Sequence, residues 1–411
     1  MRLFQTEFKL RFILLIIIFS GFLLSCNRQN HEKPGQPYLV VLSMDGFRWD
    51  YTDKANTPNF DKIARLGVKA EAMVPSFPTK TFPNHFTMAT GLYPDNHGIV
   101  LNTFYDPEID RYYKVSDREA VEDGSFYGGE PIWATAEKQG VKSASLFWVG
   151  SEAEIKGVSP SIWKTYDHHM PYENRIDTVI SWLQLPGPLR PHLIMWYFDE
   201  PDSEGHASGP DSPEIVETVE YLDSLLGVFM IKLDKLPIAD QINFIVTSDH
   251  GMCTISEDRV VMLDDFIQDE WIDEIQGSNP VWTIKAKSGH EKDMSEALFK
   301  IEHIGAWASG NLPQRLHYGN NPRTLDFVVV ADSAWSLFHK KRGSSFGGTH
   351  GFDNRNTDMR AIFFGIGPDF KNEYKQAAFP NVSLYPLMCE ILDIEAAPND
   401  GNLDDVKGML R

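Results

Sequence analysis

Cysteine is scarce in this sequence, with three cysteines among 411 residues. One of them, Cys26, stands in a separate N-terminal segment, which leaves Cys253 and Cys389 for the rest of the chain. A small scaffold held together by disulfides is therefore excluded. The chain is 42% hydrophobic, so a packed apolar core has to stabilise the fold instead.

Positively charged residues are also few relative to negatively charged ones. Lys and Arg number 38 against 58 Asp and Glu, which gives a formal net charge of −20. A surface of this sign repels polyanions, so long DNA or RNA is excluded as a partner. A small phosphorylated substrate remains compatible with the composition if bound metal ions supply positive charge locally.

An apolar run, "FILLIIIFSGFLL" at 12–24, follows a basic start and ends in "LLSC". Thirteen residues are too few for an ordinary membrane span, and the charged start favours a secretory signal peptide over residues 1–25. "LLSC" resembles the bacterial lipobox, which implies lipidation of Cys26. The alternative is an uncleaved anchor helix. Both place the remaining chain outside the cytoplasm, as a membrane-anchored protein of the periplasm or cell surface.

Residues 26–37 are polar and interrupted by proline, and they predict a tether that ends where the folded part begins, near Tyr38. From there, apolar runs alternate with amphipathic ones. Strands are predicted at 38–44, 142–148, 192–198, 242–248 and 361–367, and helices at 58–67, 174–185 and 213–233. This alternation predicts an α/β fold with a mostly parallel central sheet and helices on both faces. Residues 280–338 predict a small α/β insertion, because the main pattern resumes after them.

The stretch "FPTKTFPNHF" at 77–86 lacks helical or strand periodicity. Its prolines, Pro78 and Pro83, lack backbone donors and favour extended neighbours, so we predict a stiff bend. A rigid loop with an exposed hydroxyl is a candidate position for a nucleophile.

Acidic and histidine residues follow three predicted strands, and a further histidine stands between glycines. They are Asp45 in "SMDGF", Asp202 and His206 in "YFDEPDSEGH", Asp249 and His250 in "TSDHG", and His350 in "GGTHG". Ligands of open α/β sheets bind beyond the carboxyl ends of the strands, and carboxylates with imidazoles form the ligand set of zinc. Singly, Asp45 could be a turn residue, and Asp202 and His206 solvated loop residues. Their occurrence on successive strand ends favours a metal site.

Together, "MDGFRWDY", "PTKTFPNHFTMATGLYPDNHGIVLN", "EPDSEGH", "TSDHGM" and "GTHGFDN" resemble the nucleotide pyrophosphatase/phosphodiesterase family of the alkaline phosphatase superfamily. The resemblance runs from about residue 38 to near the C-terminus. It implies an alkaline phosphatase-like catalytic domain over 38–411, containing the insertion at about 280–338. It also implies hydrolysis of phosphodiester or pyrophosphate bonds of nucleotides through a covalent phosphothreonine intermediate, with release of nucleoside monophosphates.

The resemblance also implies roles for individual residues. Thr81 is the implied nucleophile, Thr79 is structural, and Asn102 matches a residue that hydrogen-bonds a phosphoryl oxygen. Two Zn²⁺ ions are implied as cofactors. The implied ligands are Asp45, Thr81, Asp249 and His250 for one ion, and Asp202, His206 and His350 for the other.

Aromatic residues of the same motifs imply a substrate pocket. Phe82 and Tyr166 match a pair that sandwiches the nucleotide base, and Trp148 and Tyr197 match positions near it. The alternative for these rings is a place in the core. Asp199 stands where the family commonly has glutamate, and we expect little effect from this change.

Several other activities compete with nucleotide hydrolysis as interpretations of these motifs. "KTFPNH" favours nucleotides over a choline-type or other small phosphodiester. A phosphate monoesterase would need extra positive charge, for which Lys80 is a candidate, and a sulfatase motif C/S-x-P-x-R is absent at the nucleophile position. A surface lipoprotein that only binds a ligand is the alternative outside enzymes.

Overall fold

The structure is a computed structural model that describes residues 35–411. The predicted signal peptide, the lipidation site Cys26 and most of the tether lie outside the described residues. Within residues 35–411, none of the helices combines the length and the apolar character needed to cross a membrane. Residues Gln36–Arg411 form one unit.

An eight-stranded sheet forms the centre of this unit. Its strands are β1 (Tyr38–Met44), β2 (Val68–Ala70), β3 (Ser143–Leu146), β4 (Ile162–Lys164), β5 (Leu193–Phe198), β6 (Ile242–Thr247), β7 (Phe363–Ile366) and β8 (Tyr374–Gln376). Their order across the sheet is β8-β2-β7-β6-β1-β5-β3-β4. β7 runs antiparallel to β2 and β6, and the other neighbouring pairs are parallel. The predicted mostly parallel sheet is confirmed.

The middle strand, β1, shows why the sheet strands are continuous apolar runs. All seven of its residues are buried. Leu39 packs into one hydrophobic core and Val40 into the other, because successive side chains of a strand point to opposite faces. In register, Met44 pairs with Phe198 of β5 and Ser43 with Thr247 of β6. The carboxyl ends of these three strands therefore lie side by side.

Helices cover both faces of the sheet, as predicted. The longer ones are α1 (Pro58–Leu66), α2 (Thr81–Thr90), α3 (Ile132–Lys138), α4 (Tyr172–Leu183), α5 (Asp202–Ser208), α6 (Pro213–Leu233), α7 (Glu291–Leu298) and α8 (Leu384–Ile391). Buried side chains of α1, α4 and α6 belong to one core, and those of α2, α3 and α8 belong to the other. Short helices lie at Tyr51–Lys54, Pro94–His97 and Arg118–Val121.

A second sheet of four antiparallel strands lies in the C-terminal half. Its order is Ile272–Ser278, Val281–Ala286, Phe327–Ala331 and Ile304–Ala308. With α7 it encloses a core of its own. The strand Ile272–Ser278 precedes the predicted insertion bounds of 280–338 and pairs with the strand after it as a hairpin.

Two segments predicted as irregular are helical. The predicted bend at 77–86 is wrong in its second half, because Thr81 is the first residue of α2. Pro83 is accommodated in the first turn, where backbone N–H groups have no partner within the helix. The loop predicted around Asp202 and His206 is also wrong, since both lie on α5. Their four-residue spacing places both side chains on one face of that helix.

Four two-stranded pairings lie outside the two larger sheets, and three of them connect segments that are distant in sequence. Thr103–Asp106 pairs with Arg111–Lys114, Met73–Val74 with Phe379–Pro380, Cys253–Thr254 with Gly348–Thr349, and Val260–Met262 with Ser336–Phe338. The pairing of Cys253–Thr254 with Gly348–Thr349 positions a residue of the candidate site. It places His350, which directly follows Thr349, beside the segment that follows β6.

Candidate active site

The carboxyl ends of β1, β5 and β6 present the predicted ligand residues at one edge of the sheet. Asp45 directly follows β1, and Asp249 and His250 follow β6. α5 begins four residues after the end of β5 and carries two more of the predicted ligands, Asp202 and His206. Parallel strands end at the same edge of a sheet, which explains why residues far apart in sequence meet here.

The first group of side chains converges on the imidazole of His250. Its Nε2 atom lies 3.4 Å from Asp45 Oδ1 and 3.0 Å from Asp249 Oδ2. The Thr81 hydroxyl oxygen lies 3.3 Å from the same Nε2. The four residues predicted to share one metal ion are thus in contact.

The second group surrounds Asp202. His206 Nε2 lies 3.5 Å from its Oδ2, and His350 Nε2 lies 3.7 Å from its Oδ1. The two groups adjoin, because the rings of His250 and His350 stack with centroids 3.6 Å apart. The structure therefore brings all seven predicted ligand residues into one cluster.

Backbone carbonyls orient the histidines of this cluster. Nδ1 of His206 lies 2.9 Å from the Gly348 carbonyl oxygen, Nδ1 of His250 lies 2.9 Å from that of Gly251, and Nδ1 of His350 lies 2.8 Å from that of Thr79. A carbonyl oxygen only accepts hydrogen bonds, so each Nδ1 carries the proton. Each Nε2 therefore faces the carboxylates, and in the neutral imidazole its lone pair is available to a metal ion, which is the usual arrangement of a metal-binding imidazole.

Three carboxylate oxygens of the cluster are buried without a hydrogen bond: Asp45 Oδ1, Asp202 Oδ1 and Asp249 Oδ2. Burying an anionic oxygen without a partner is costly, and a bound cation removes that cost. Ligand atoms of Asp202, His250 and His350 lie within 4.8 Å of one another, as do those of Asp45, His85 and Asp249. The donor set fits divalent metal ions.

Burial and mutual contact shift the pKa values of these groups. Burial, together with the charges of Asp249 and Asp202, raises the pKa of Asp45 well above its ordinary value. Burial alone would raise the pKa of Asp249, but the neighbouring His250 and His85 bring it well below its usual range. Burial lowers the pKa of His350 strongly, and the nearby His250 lowers it further. His350 is therefore neutral, the form that binds metals.

Thr81 stands at the N-terminus of α2, the positive end of the helix dipole. The backbone N–H of the next residue, Phe82, donates to Asn102 Oδ1 over 3.0 Å. This bond holds the Asn102 side chain at the residue that follows Thr81. The Thr79 hydroxyl is occupied by other contacts, because it donates to the Phe352 carbonyl over 3.0 Å and accepts from the Gly351 N–H over 2.9 Å.

An aromatic pocket opens beside Thr81 and contains all four predicted substrate residues: Phe82, Trp148, Tyr166 and Tyr197. Tyr166 is 37% exposed and Trp148 is buried. The Trp148 indole N–H donates to the His85 carbonyl over 3.1 Å, and the Tyr197 hydroxyl donates to Asp45 over 2.6 Å. These two residues therefore offer only their ring surfaces to a ligand.

Several further residues line this pocket and were not predicted from the sequence, among them Phe147, Arg118 and Glu152. Glu152 accepts the Tyr166 backbone N–H over 3.2 Å and pairs with Arg118. Phe147 has a positive φ of 74° at the end of β3, and its ring contacts Tyr166 with centroids 5.3 Å apart. Arg118 lies in a short helix far from the recognised motifs, so no sequence signal could have indicated it.

This sheet and this cluster define the class of the protein. It is an α/β protein of alkaline phosphatase-like architecture, with a candidate metal centre at the sheet edge. The family model described as "Type I phosphodiesterase / nucleotide pyrophosphatase" matches residues 39–353. The chain belongs to this family of metal-dependent proteins.

Curated relatives agree with this assignment. The chain is 37% identical over 390 residues to the venom phosphodiesterase CdcPDE of Crotalus durissus collilineatus, which covers 92% of this chain and 47% of that protein. It is 36% identical over 387 residues to the ectonucleotide pyrophosphatase/phosphodiesterase family member 3 of Rattus norvegicus, covering 92% of this chain and 44% of that protein. The chain spans about half the length of these relatives.

Solved structures show the same fold. The murine ectonucleotide pyrophosphatase/phosphodiesterase 5 superposes with a TM-score of 0.87 at 33% identity, covering 91% of this chain and 100% of that chain. An inactive threonine-to-alanine variant of that murine protein, in complex with AMP, matches with the same values. The predicted alkaline phosphatase-like α/β fold is confirmed.

Proposed function

We propose that this protein is a two-zinc hydrolase that cleaves phosphodiester or pyrophosphate bonds of small nucleotides and releases nucleoside monophosphates. One observation carries the proposal. The Thr81 hydroxyl contacts the cluster of buried carboxylates and imidazoles on one side and lines the aromatic pocket on the other. A nucleotide in that pocket would present its phosphorus to this hydroxyl.

The seven predicted ligands would hold two Zn²⁺ ions: Asp45, Thr81, Asp249 and His250 one, and Asp202, His206 and His350 the other. The Nε2 atoms that face the carboxylates and the unpartnered carboxylate oxygens support this assignment. When bound, such ions neutralise developing charge on oxygen and lower the pKa of coordinated hydroxyl groups. In a chain of net charge −20, they would also make the site attractive to an anionic substrate.

The chain's own residues would divide the reaction into two steps. In the first, Thr81 Oγ1 gives its proton to solvent water and bonds to the phosphorus, while the bond from phosphorus to the leaving oxygen breaks and that oxygen departs with the electron pair. In the second, a water oxygen bonds to the phosphorus, the bond between phosphorus and Thr81 Oγ1 breaks, and Oγ1 takes up a proton, which releases the nucleoside monophosphate and restores Thr81. The Nδ2 group of Asn102 donates to a phosphoryl oxygen and stabilises the charge that develops there.

The pocket would hold the nucleotide base between Phe82 and Tyr166. Stacking of a base on an aromatic side chain contributes roughly 1–3 kcal/mol and accepts any base. The AMP complex of the murine relative supports a nucleotide over a choline-type substrate. A phosphate monoesterase is less well supported, because Lys80 Nζ donates to the Asn279 carbonyl oxygen over 2.7 Å and Arg118 pairs with Glu122 and Glu152.

We further propose that the protein is an extracytoplasmic lipoprotein, attached to the membrane through a lipid on Cys26. The basic start and the "LLSC" ending of the N-terminal run support this proposal. Replacement of Cys26 by alanine should release the protein from the membrane fraction and remove labelling by a radioactive fatty acid. Continued labelling would contradict it.

The enzymatic proposal is tested by comparing kcat/KM of the zinc-loaded protein for two chromogenic diesters. These are the p-nitrophenyl ester of thymidine 5′-monophosphate and p-nitrophenyl phosphorylcholine. A strong preference for the thymidine ester is expected from the aromatic pocket. Preference for the choline ester would overturn the substrate class, and turnover of neither would leave a ligand-binding lipoprotein as the better account.

A further inference from the structure

His85 lies at the centre of the cluster without a role in the predicted ligand set. It is on α2, one turn after Thr81, and its side chain is fully buried. Its ring packs edge-on against Trp148 and Tyr197, with centroids 5.3 Å and 5.2 Å apart. His85 therefore contacts both the helix that carries Thr81 and the wall of the substrate pocket.

Both ring nitrogens of His85 have partners. Nδ1 lies 3.0 Å from the carbonyl oxygen of Thr81, and Nε2 lies 2.8 Å from the hydroxyl of Ser43 on β1. A carbonyl oxygen only accepts, so Nδ1 carries the proton and Nε2 accepts the Ser43 hydroxyl proton. The same Nδ1 also lies 3.3 Å from Asp249 Oδ2. One N–H group thus faces the backbone of Thr81 and the carboxylate of Asp249.

This arrangement separates His85 from the ligands themselves. Its ligand atom falls within 4.8 Å of those of Asp45 and Asp249, a distance that would allow a shared metal ion. A ligand, however, needs a lone pair facing the carboxylates, and the nitrogen that faces Asp249 carries the proton. His250 has the same tautomer, with Nδ1–H bonded to the Gly251 carbonyl, but it is its Nε2 atom that faces the carboxylates.

The carboxylate of Asp249 is held differently at its two oxygens. Oδ1 accepts the backbone N–H of Gly46 over 3.1 Å, while Oδ2 has no hydrogen bond of good geometry. Near Oδ2 lie Nδ1 of His85 and Nε2 of His250. If His250 Nε2 binds a metal, the Nδ1–H of His85 is the N–H group that faces this side of the carboxylate.

We propose that His85 is a positioning residue, whose single Nδ1–H bonds to the carbonyl of Thr81 and attracts the Oδ2 atom of Asp249 electrostatically, and so holds the two groups in a fixed relation. This inference rests on the proposed function, because it places the nucleophile residue relative to a metal ligand. The ring acts through Thr81 and Asp249 and does not touch the substrate phosphorus. Groups of this kind commonly change metal affinity by about 10–100-fold when they are replaced.

Two variants with an amide side chain separate this role from the alternatives. In His85→Asn, the side-chain amide nitrogen takes the approximate position of Nδ1 and keeps a donor toward Thr81 and Asp249. In His85→Gln, the amide reaches the position of Nε2 and keeps the contact with Ser43, but the Nδ1 donor is lost. Both variants introduce a smaller polar group at the same buried position, so they serve as controls for each other.

The experiment measures zinc affinity by competition with a chromogenic chelator, kcat and KM for the thymidine ester, and the unfolding temperature. For His85→Gln we expect zinc affinity to fall by about 10–100-fold. We also expect kcat at saturating zinc to fall while KM stays unchanged. For His85→Asn we expect values close to those of the unchanged protein.

Three outcomes would overturn the inference. Loss of one whole zinc equivalent in both variants would make His85 a ligand. A lower unfolding temperature in both variants, with unchanged zinc affinity and kcat, would make it a packing residue. If His85→Gln behaves like the unchanged protein, His85 has no positioning role. If the unchanged protein binds zinc but cleaves no diester, the proposed function fails, and the zinc measurement still decides the role of His85.

Discussion

Tyr197 donates its phenolic hydrogen to Oδ2 of Asp45 over 2.6 Å, and the ring of the same tyrosine lines the aromatic pocket. Burial, together with the charge of Asp45, raises the pKa of Tyr197 well above its ordinary value, so the phenol remains a donor at neutral pH. One residue therefore belongs to two parts of the site. It orients a predicted metal ligand and forms a wall for the substrate.

Replacing Tyr197 by phenylalanine tests this double role. The ring and the pocket wall remain, but Asp45 loses its donor, so we expect zinc affinity to fall by about 10–100-fold. KM for the thymidine ester should change little. Zinc titration against a chelator measures the effect. Tyr166→Phe is the matched control, because the Tyr166 hydroxyl lies 3.3 Å from His168 Nδ1, whereas the Tyr197 hydroxyl donates to Asp45. Equal losses in both variants would contradict the role of the Tyr197 hydroxyl.

Removing the ring of Tyr166 tests the proposed base clamp. If a base stacks on this ring, Tyr166→Ala should lower kcat/KM for the thymidine ester by roughly 5- to 150-fold, which corresponds to about 1–3 kcal/mol. Methyl p-nitrophenyl phosphate has no base and should be cleaved almost as well as before. Trp163→Ala provides a control, since Trp163 is an exposed aromatic residue outside the pocket. An equal loss with both substrates would argue against stacking.

Asn102→Asp separates the two hydrogen-bonding functions of this side chain. Aspartate keeps an acceptor for the Phe82 N–H but has no amide donor for a phosphoryl oxygen. We expect kcat to fall by about 10²–10³-fold, as when one donor to a developing oxyanion is removed. The unfolding temperature should change little, because the contact with Phe82 is kept. Near-normal turnover would show that Asn102 holds the backbone and does not contact the substrate.

Metal removal should affect both activity and stability. Chelation should abolish turnover, and zinc should restore it. The metal-free protein should also unfold at a lower temperature, since free zinc at 100 times its Kd stabilises a fold by about 2.7 kcal/mol.

The stoichiometry of metal binding distinguishes the two predicted sites. The double variant Asp202→Ala, His206→Ala should retain one zinc equivalent, held by the group around His250. Two equivalents, or none, would contradict the division of the ligands between two ions. Atomic emission spectrometry of the dialysed protein provides the measurement.

The strands were the most predictable part of the fold. β1, β5 and β6 lie within one residue of the ranges 38–44, 192–198 and 242–248, because a buried parallel strand is a continuous apolar run with a clear end. Strands with few apolar residues were not predictable in the same way. The strand Ile272–Ser278, for example, has few apolar residues, and its pairing with Val281–Ala286 defines it.

The two helices that carry site residues were missed for a physical reason. α5 has the sequence "DSEGHAS", with few apolar residues to show helical periodicity, and α2 begins with a proline in its first turn. The contacts of His85 with Ser43 and Asp249 join residues 42 and 164 positions apart, so their roles depend on the folded arrangement. The candidate ligands could be identified from sequence motifs, whereas the residues that orient them could be identified only from their contacts in the structure.

The most direct test of the account is to trap the covalent intermediate. Turnover of the p-nitrophenyl ester of thymidine 5′-monophosphate is quenched in acid, and the digested protein is analysed by fragmentation mass spectrometry. We predict a thymidylyl group on Thr81, and Thr81→Ala should show neither this adduct nor turnover. An adduct on Thr79 or another residue, or undiminished turnover by Thr81→Ala, would contradict the central role of Thr81.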